Sequence, residues 1–117
     1  MENNFIEATA RLNNFRGSAR KARLILDLIR GKNVVQAKNI LQFSTKRMAK
    51  DIHKLLNSAI ANANQKAGKI EITSLQIQKC WADEGLTMKR SMPRANGRTM
   101  MIKKRTCHIN LTVSEKV

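Results

Sequence analysis

GLTMKRSMPRANGRTMMIKKR, running from Gly85 to Arg105, carries seven basic side chains and neither an acidic nor an aromatic one. The seven are Lys89, Arg90, Arg94, Arg98, Lys103, Lys104 and Arg105. Alone, the segment has too little apolar surface to offset the entropy lost in ordering its backbone. Its flanks differ: Leu75 to Trp81 and Cys107 to Val113 alternate apolar and polar residues in the manner of strands. The two ends are therefore expected side by side, with the segment forming the distal part of a long hairpin that stands out from a folded body. Pro93 falls near its middle, where a turn is wanted. A protruding element of this charge suits a polyanion, nucleic acid before any other.

The pattern also suggests a register. Leu75, Ile77 and Trp81 share one face of the first flank; Cys107, Ile109, Leu111 and Val113 share one face of the second. Antiparallel partners point to the same side, so apolar residues must meet apolar residues. Pairing Trp81 with Cys107, Ile77 with Leu111 and Leu75 with Val113 achieves this and centres the turn near Arg94, beside Pro93 and close to Asn96-Gly97. Moving by one residue pairs Cys80 with Cys107 but sets Leu75 and Ile77 against Thr112 and Asn110, so no disulfide is expected. Each arm beyond Trp81 and Cys107 is about a dozen residues, or roughly 40 Å of strand. A two-stranded ribbon of that length is marginal in water, which predicts a tip that orders on binding.

Upstream, Ile6, Ala8, Ala10 and Leu12 alternate with Glu7, Thr9 and Arg11, a strand pattern over Phe5 to Leu12. Gly17-Ser18 breaks it and offers a helix cap. Ala22, Ile25, Leu26 and Ile29 follow at helical spacing, with Gly31 placed to end the helix. A short second helix is expected from Val34 to Leu41, with Ala37, Ile40 and Leu41 inward. Met48, Ile52, Leu55, Leu56, Ala59, Ile60 and Ala63 form the stripe of a third, which Ser44 or Thr45 could cap and Gly68 could end. Ile70 to Ala82 and Met100 to Val113 then read as strands.

A chain of 117 residues supports one domain with a modest core. Its net charge of +15 repels itself unless a partner neutralises it. Nucleic acid, an anionic membrane and an acidic protein are the candidates, in falling order. No apolar run is long enough to span a bilayer, and the N-terminus has neither the apolar core of a secretory signal nor the Arg-rich, acid-poor character of a transit peptide. Cys80 and Cys107 without CxxC spacing fit a reducing, cytoplasmic-type compartment.

Catalytic chemistry is sparse. His53 lies beside the third helix's stripe, and His108 is adjacent to Cys107 on a strand, where neighbours point to opposite faces. Asp83-Glu84 is the one acidic pair in its region and has no evident third ligand for a metal. P-loop, GxGxxG and HExxH patterns are all missing. A non-enzyme without metal, cofactor or small-molecule substrate is expected. Binding chemistry is plentiful by contrast. A second acid-poor cluster comprises Arg11, Arg16, Arg20, Lys21, Arg23, Arg30, Lys32 and Lys38, against Asp27 alone between Ala8 and Ile40. Arg20, Lys21 and Arg23 fall in the first turns of a helix, where the dipole disfavours cations unless phosphate lies alongside. Three Phe, one Trp and no Tyr leave little for base stacking. Phosphates, sugars and folded shape are the expected targets, with arginine forks bridging phosphate oxygens. Met88, Met92, Met100 and Met101 are hard to bury internally and suit irregular pockets in a partner or the wall of a cavity.

Several motifs together resemble large-subunit ribosomal protein twenty-two. They are SARKARLILDLIRGK at Ser18 to Lys32, SAIANA at Ser58 to Ala63, DEG at Asp83 to Gly85, MKRSMPRANGR at Met88 to Arg98 and IKKRTCHI at Ile102 to Ile109. Leu86, where proline is frequent, and Cys107, where serine is common, are departures that leave the charge pattern intact. The resemblance implies an α+β fold: three helices packed on a small three-stranded antiparallel sheet, with one very long protruding β-hairpin. It implies a single rRNA-binding domain over residues 1–117, its body at about 1–82 and 106–117 and its hairpin at about 83–105. The implied partners are 23S-type rRNA, neighbouring large-subunit proteins and the nascent peptide, with no membrane. The hairpin would form part of the exit-tunnel wall. Candidate rRNA contacts are Arg16, Ser18, Lys21, Arg23, Arg30, Lys32, Lys89, Arg90, Arg94, Arg98, Lys103, Lys104 and Arg105. Candidate tunnel-tip positions are Met88, Lys89, Arg90, Met92, Pro93 and Arg94. The rival from another class is a DNA-bending architectural protein with basic β-arms and a Met92-Pro93 wedge.

Overall fold

The computed structural model describes residues 6–67, 74–93, 97 and 99–115. Strand β1 (Ile6–Arg16) leads into helices α1 (Ala19–Ile29), α2 (Val34–Gln42) and α3 (Met48–Ala67). Strands β2 (Leu75–Glu84), β3 (Met88–Pro93), β4 (Thr99–Lys104) and β5 (Thr106–Glu115) complete it. The fold is α+β. A three-stranded antiparallel sheet of order β1-β5-β2 carries the body, and β3 and β4 form a separate two-stranded ribbon.

The helices cover one face of the three-stranded sheet, α3 against β1 and β5, α1 against β2, and α2 against α3. Ala8 and Ala10 of β1 are small enough to admit α3 closely. Below the helices lie Cys107, Ile109, Leu111 and Val113, all fully buried on the central strand. The stripe of α3 is buried at Ile52, Leu55, Leu56, Ala59, Ile60 and Ala63, while Met48 packs at its edge. In α2, Val34, Ala37 and Leu41 are buried and Ile40 packs against the core. The opposite sheet face carries Thr9, Arg11 and Trp81 beside Asn110 and Thr112. Arg11 Nε donates to Asn110 Oδ1 at 2.7 Å.

Several expectations are corrected. The Ser18 side chain stands at the N-cap of α1 but makes no capping hydrogen bond, and Ser44 accepts from the Lys46 amide, ahead of α3 rather than capping it. By contrast, Asn33 caps α2 through the Val35 amide. Gly68 lies outside the described residues. The register is shifted too: Ile77 pairs with Val113 and Leu75 with Glu115. A bulge between Ile77 and Lys79 then inverts the alternation. Cys80 and Ala82 consequently face the core opposite Leu111 and Ile109, and Trp81 turns outward, 40% exposed. Both thiols are buried and free, as the absence of a disulfide requires.

Nor is the hairpin one continuous ladder. Three residues, 85–87, separate β2 from β3, while Arg105 alone separates β4 from β5. At the junction the Gly85 amide donates to Thr106 O at 2.9 Å, and Thr106 Oγ1 donates to Leu86 O at 2.6 Å. A Cβ at Gly85 would sit 2.6 Å from Thr106 Oγ1 and 3.2 Å from Thr106 O, so only glycine permits this approach. The last described ribbon pair is Pro93 with Thr99, and the turn expected near Arg94 lies outside the described residues. The molecule measures 70 × 27 × 20 Å with a radius of gyration of 17.7 Å. A compact chain of this length would have about 13 Å.

Candidate nucleic-acid interface

Helix α1 is bolted along the outer edge of β2, and this decides which basic residues face outward. Arg23 donates from Nε and Nη2 to Ala82 O, at 3.1 and 2.9 Å. Arg30 donates from Nε and Nη2 to Cys80 O, at 3.3 and 2.8 Å, and pairs with Asp27 through Nη1. The Asp27 carboxylate raises the Arg30 pKa above its ordinary value. Ile77 exchanges backbone hydrogen bonds with Gly31 and Lys32 on the same edge. An edge strand with unpaired groups invites association with another chain, and these contacts close it. Arg23 and Arg30, both expected to contact rRNA, thus have intramolecular partners. Lys32 is exposed and joins the edge through its carbonyl alone.

Arg20 and Lys21 remain exposed at the N-terminal end of α1, whose first turn has no acidic residue. Across from them stands the ribbon's base. An open groove of about 870 Å³ runs between the two, lined by Ser18, Arg20, Lys21, Arg23, Lys103 and Arg105 among others. Glu84 is the one carboxylate in its lining. The Gly17 amide donates to Arg105 O at 3.0 Å and fixes the near wall. Two clusters more than eighty residues apart in sequence become one basic surface. Among the described residues, Arg30–Asp27 is the one ion pair, so this charge is not neutralised internally.

Beyond the groove the ribbon has two unlike faces. Cross-strand partners share a side, so Met88, Arg90, Met92, Met100, Ile102 and Lys104 fall on one face. Lys89 stands opposite Lys103 on the other, with Ser91, Pro93 and Met101. Apart from half-buried Ile102, the side chains described in the ribbon are exposed. Like charges placed directly opposite destabilise a strand pair, so the Lys89–Lys103 pairing favours a ribbon with an anion on that side. Arg94 and Arg98 lie outside the described residues.

A second groove, about 660 Å³, opens on the other side of α1's N-terminus. Arg16 and Lys21 line it with Lys46 and Arg47, two basic residues that sequence reasoning passed over. Their signal was the run Lys46-Arg47 just before α3, obscured because it interrupts no pattern.

The remaining reactive groups have structural settings. His108 Nδ1 accepts from the Asn14 amide at 3.1 Å, holding a residue at φ +57° where β1 is irregular. Burial raises the pKa of both cysteine thiols, so they stay protonated near neutral pH. Asp83 accepts from the Trp81 indole. Among the described residues no cluster of three or more His, Cys, Asp or Glu could hold a metal, and no helix is long and apolar enough to cross a membrane.

The chain matches a known protein family. The family model described as ribosomal protein L22p/L17e matches residues 10–114 of the 117.

Proposed function

The chain belongs to the ribosomal protein L22p/L17e family and is a structural protein of the large ribosomal subunit; from that premise we propose that it binds 23S-type rRNA, supports subunit assembly and contributes its ribbon to the wall of the nascent-peptide exit tunnel. Family membership also gives its location, the ribosome's large subunit, in keeping with the cytoplasmic-type compartment expected from its cysteines. The observation that carries the rRNA reading is the convergence of two acid-poor clusters on one groove, with Arg20 and Lys21 facing Lys103 and Arg105. Polyanion binding gives those unpaired cations a partner. Lys89 shares the ribbon face of Lys103 and extends the surface; Lys32, Arg90, Arg94, Arg98 and Lys104 complete the proposed rRNA contacts.

The ribbon's two faces support the tunnel reading. Thioethers at Met88, Met92 and Met100 are exposed yet apolar, and flexible enough to tolerate varied passing chains. Neighbouring large-subunit proteins and the nascent peptide complete the proposed partners. The DNA-bending alternative needs an apolar dimer face, and the α3 stripe that could supply it is buried beneath the sheet.

Replacing Arg90, Arg94 and Arg98 with glutamine tests the rRNA role. If each holds one phosphate, the slope of log affinity against log salt falls by roughly 2 to 3 units. An unchanged slope removes these arginines from phosphate contact. For the tunnel role, deleting Met88 to Arg90 should alter macrolide sensitivity more than subunit assembly, and equal loss of assembly would make the tip an anchor instead.

A further inference from the structure

The groove between the β1–α1 junction and the start of α3 is not accounted for by phosphate binding, because its walls are largely apolar. Phe15 and Met48 flank it, and Leu24 stands in it 53% exposed. Gly17 lets the flanks close in: a Cβ there would lie 2.9 Å from Met48 Cε and 3.2 Å from Phe15 Cε1. Around the rim are Arg16, Lys21, Lys46 and Arg47. Asp51 is the single carboxylate in the lining, and its side chain makes neither a hydrogen bond nor an ion pair among the described residues. Its place in the first turn of α3 favours the helix, while its carboxylate remains available to a donor.

We propose that this groove seats one unstacked nucleobase of the bound RNA. The Phe15 ring and Met48 thioether contact the base, the rim cations hold the phosphates on either side, and Asp51 accepts from an exocyclic amine. The proposal rests on the rRNA-binding reading and adds to it a subsite that reads a base. A nucleotide combines a flat, weakly hydrated ring, flanking anions and an edge of donors, which is the combination these walls offer. Gly17, Ser18, Lys21 and Leu24 line both grooves, so a strand following the phosphate groove runs directly into this one. An acidic amphipathic peptide could satisfy the rim, but its carboxylates only accept and offer Asp51 no donor. Adenine, cytosine and guanine carry the amine that uracil lacks, so the subsite discriminates against uridine.

The test titrates the full-length protein, at one salt concentration, with three short hairpin RNAs. One has a continuous stem, one a single bulged adenosine and one a single bulged uridine. The bulged-adenosine hairpin is expected to bind about tenfold tighter than the continuous stem, the scale of one base stacked on an aromatic ring. Phe15→Leu should remove most of that preference while leaving affinity for the continuous stem unchanged, which also reports that the variant is folded. Asp51→Asn should bring the two bulged hairpins together. Equal affinity of the unaltered protein for stem and bulge overturns the subsite and leaves RNA binding standing. Failure to bind any of the three overturns both. A preference for an acidic amphipathic peptide that displaces the bulged hairpin assigns the groove to a protein and overturns the proposal as well.

Discussion

Helix α3 and the β3–β4 ribbon each contain five large apolar side chains, yet the two regions treat them in opposite ways. In α3, Ile52, Leu55, Leu56 and Ile60 are buried and Met48 packs at the core's edge. In the ribbon, Met88, Met92, Met100 and Met101 are 40–67% exposed, and Ile102 is half-buried. The difference is one of layers. An amphipathic helix laid on a sheet closes its stripe from both sides, whereas two strands with nothing packed on either face enclose nothing. Hydrophobicity in the ribbon therefore stays available to a partner. The two Lys residues facing each other across it, Lys89 and Lys103, add a repulsion between its strands.

Amide exchange of the free protein should display this contrast most strongly. Ribbon amides at residues 88–92 and 99–104 are expected to exchange at least about a thousandfold faster than the central amides of α3, since only the latter need global unfolding to open. Equal protection would end the distinction. In urea unfolding, Leu56→Ala should cost about 3 kcal/mol through the cavity it leaves. Met100→Ala should stay within about 0.5 kcal/mol, as an exposed site does. Similar losses from both would mean that the ribbon packs against the body.

The junction offers a finer probe. Gly85→Ala should cost about 1 to 2 kcal/mol, because the added methyl meets Thr106 and forces the strands apart. A neutral result would show that the junction yields freely. The smallest effect concerns the ribbon's charge. Lys103→Glu turns a repulsive cross-strand pair into an attractive one, so ribbon protection should rise by about two- to fivefold. RNA binding should weaken in the same variant. Gains in both would separate ribbon order from anion binding in a way the proposed function does not allow.

Much of this was legible beforehand. Helices α1 to α3 follow from periodic apolar stripes, and the ribbon from an acid-free, core-less run between alternating flanks. Site residues were visible as two clusters of charge. Less visible was their use: Arg23 and Arg30 look like neighbours of Lys21 in sequence, yet their guanidinium groups are turned onto β2 carbonyls. Lys46 and Arg47 gave no periodic signal and acquire a role only beside Arg16 and Lys21.

Composition and spacing by themselves determined the element types, the unneutralised positive charge and the inability of residues 85–105 to bury themselves. These are local properties, set by what each side chain prefers in water. Tertiary structure alone decided the register and the faces. A single bulge after Ile77 reverses which side of β2 is inward, putting Cys80 and Ala82 in the core and Trp81 outside. It also decided that the start of α1 meets the base of the ribbon, through bonds such as Gly17 to Arg105. Such pairings depend on where distant segments lie when the core closes, and no alternation along one strand encodes that.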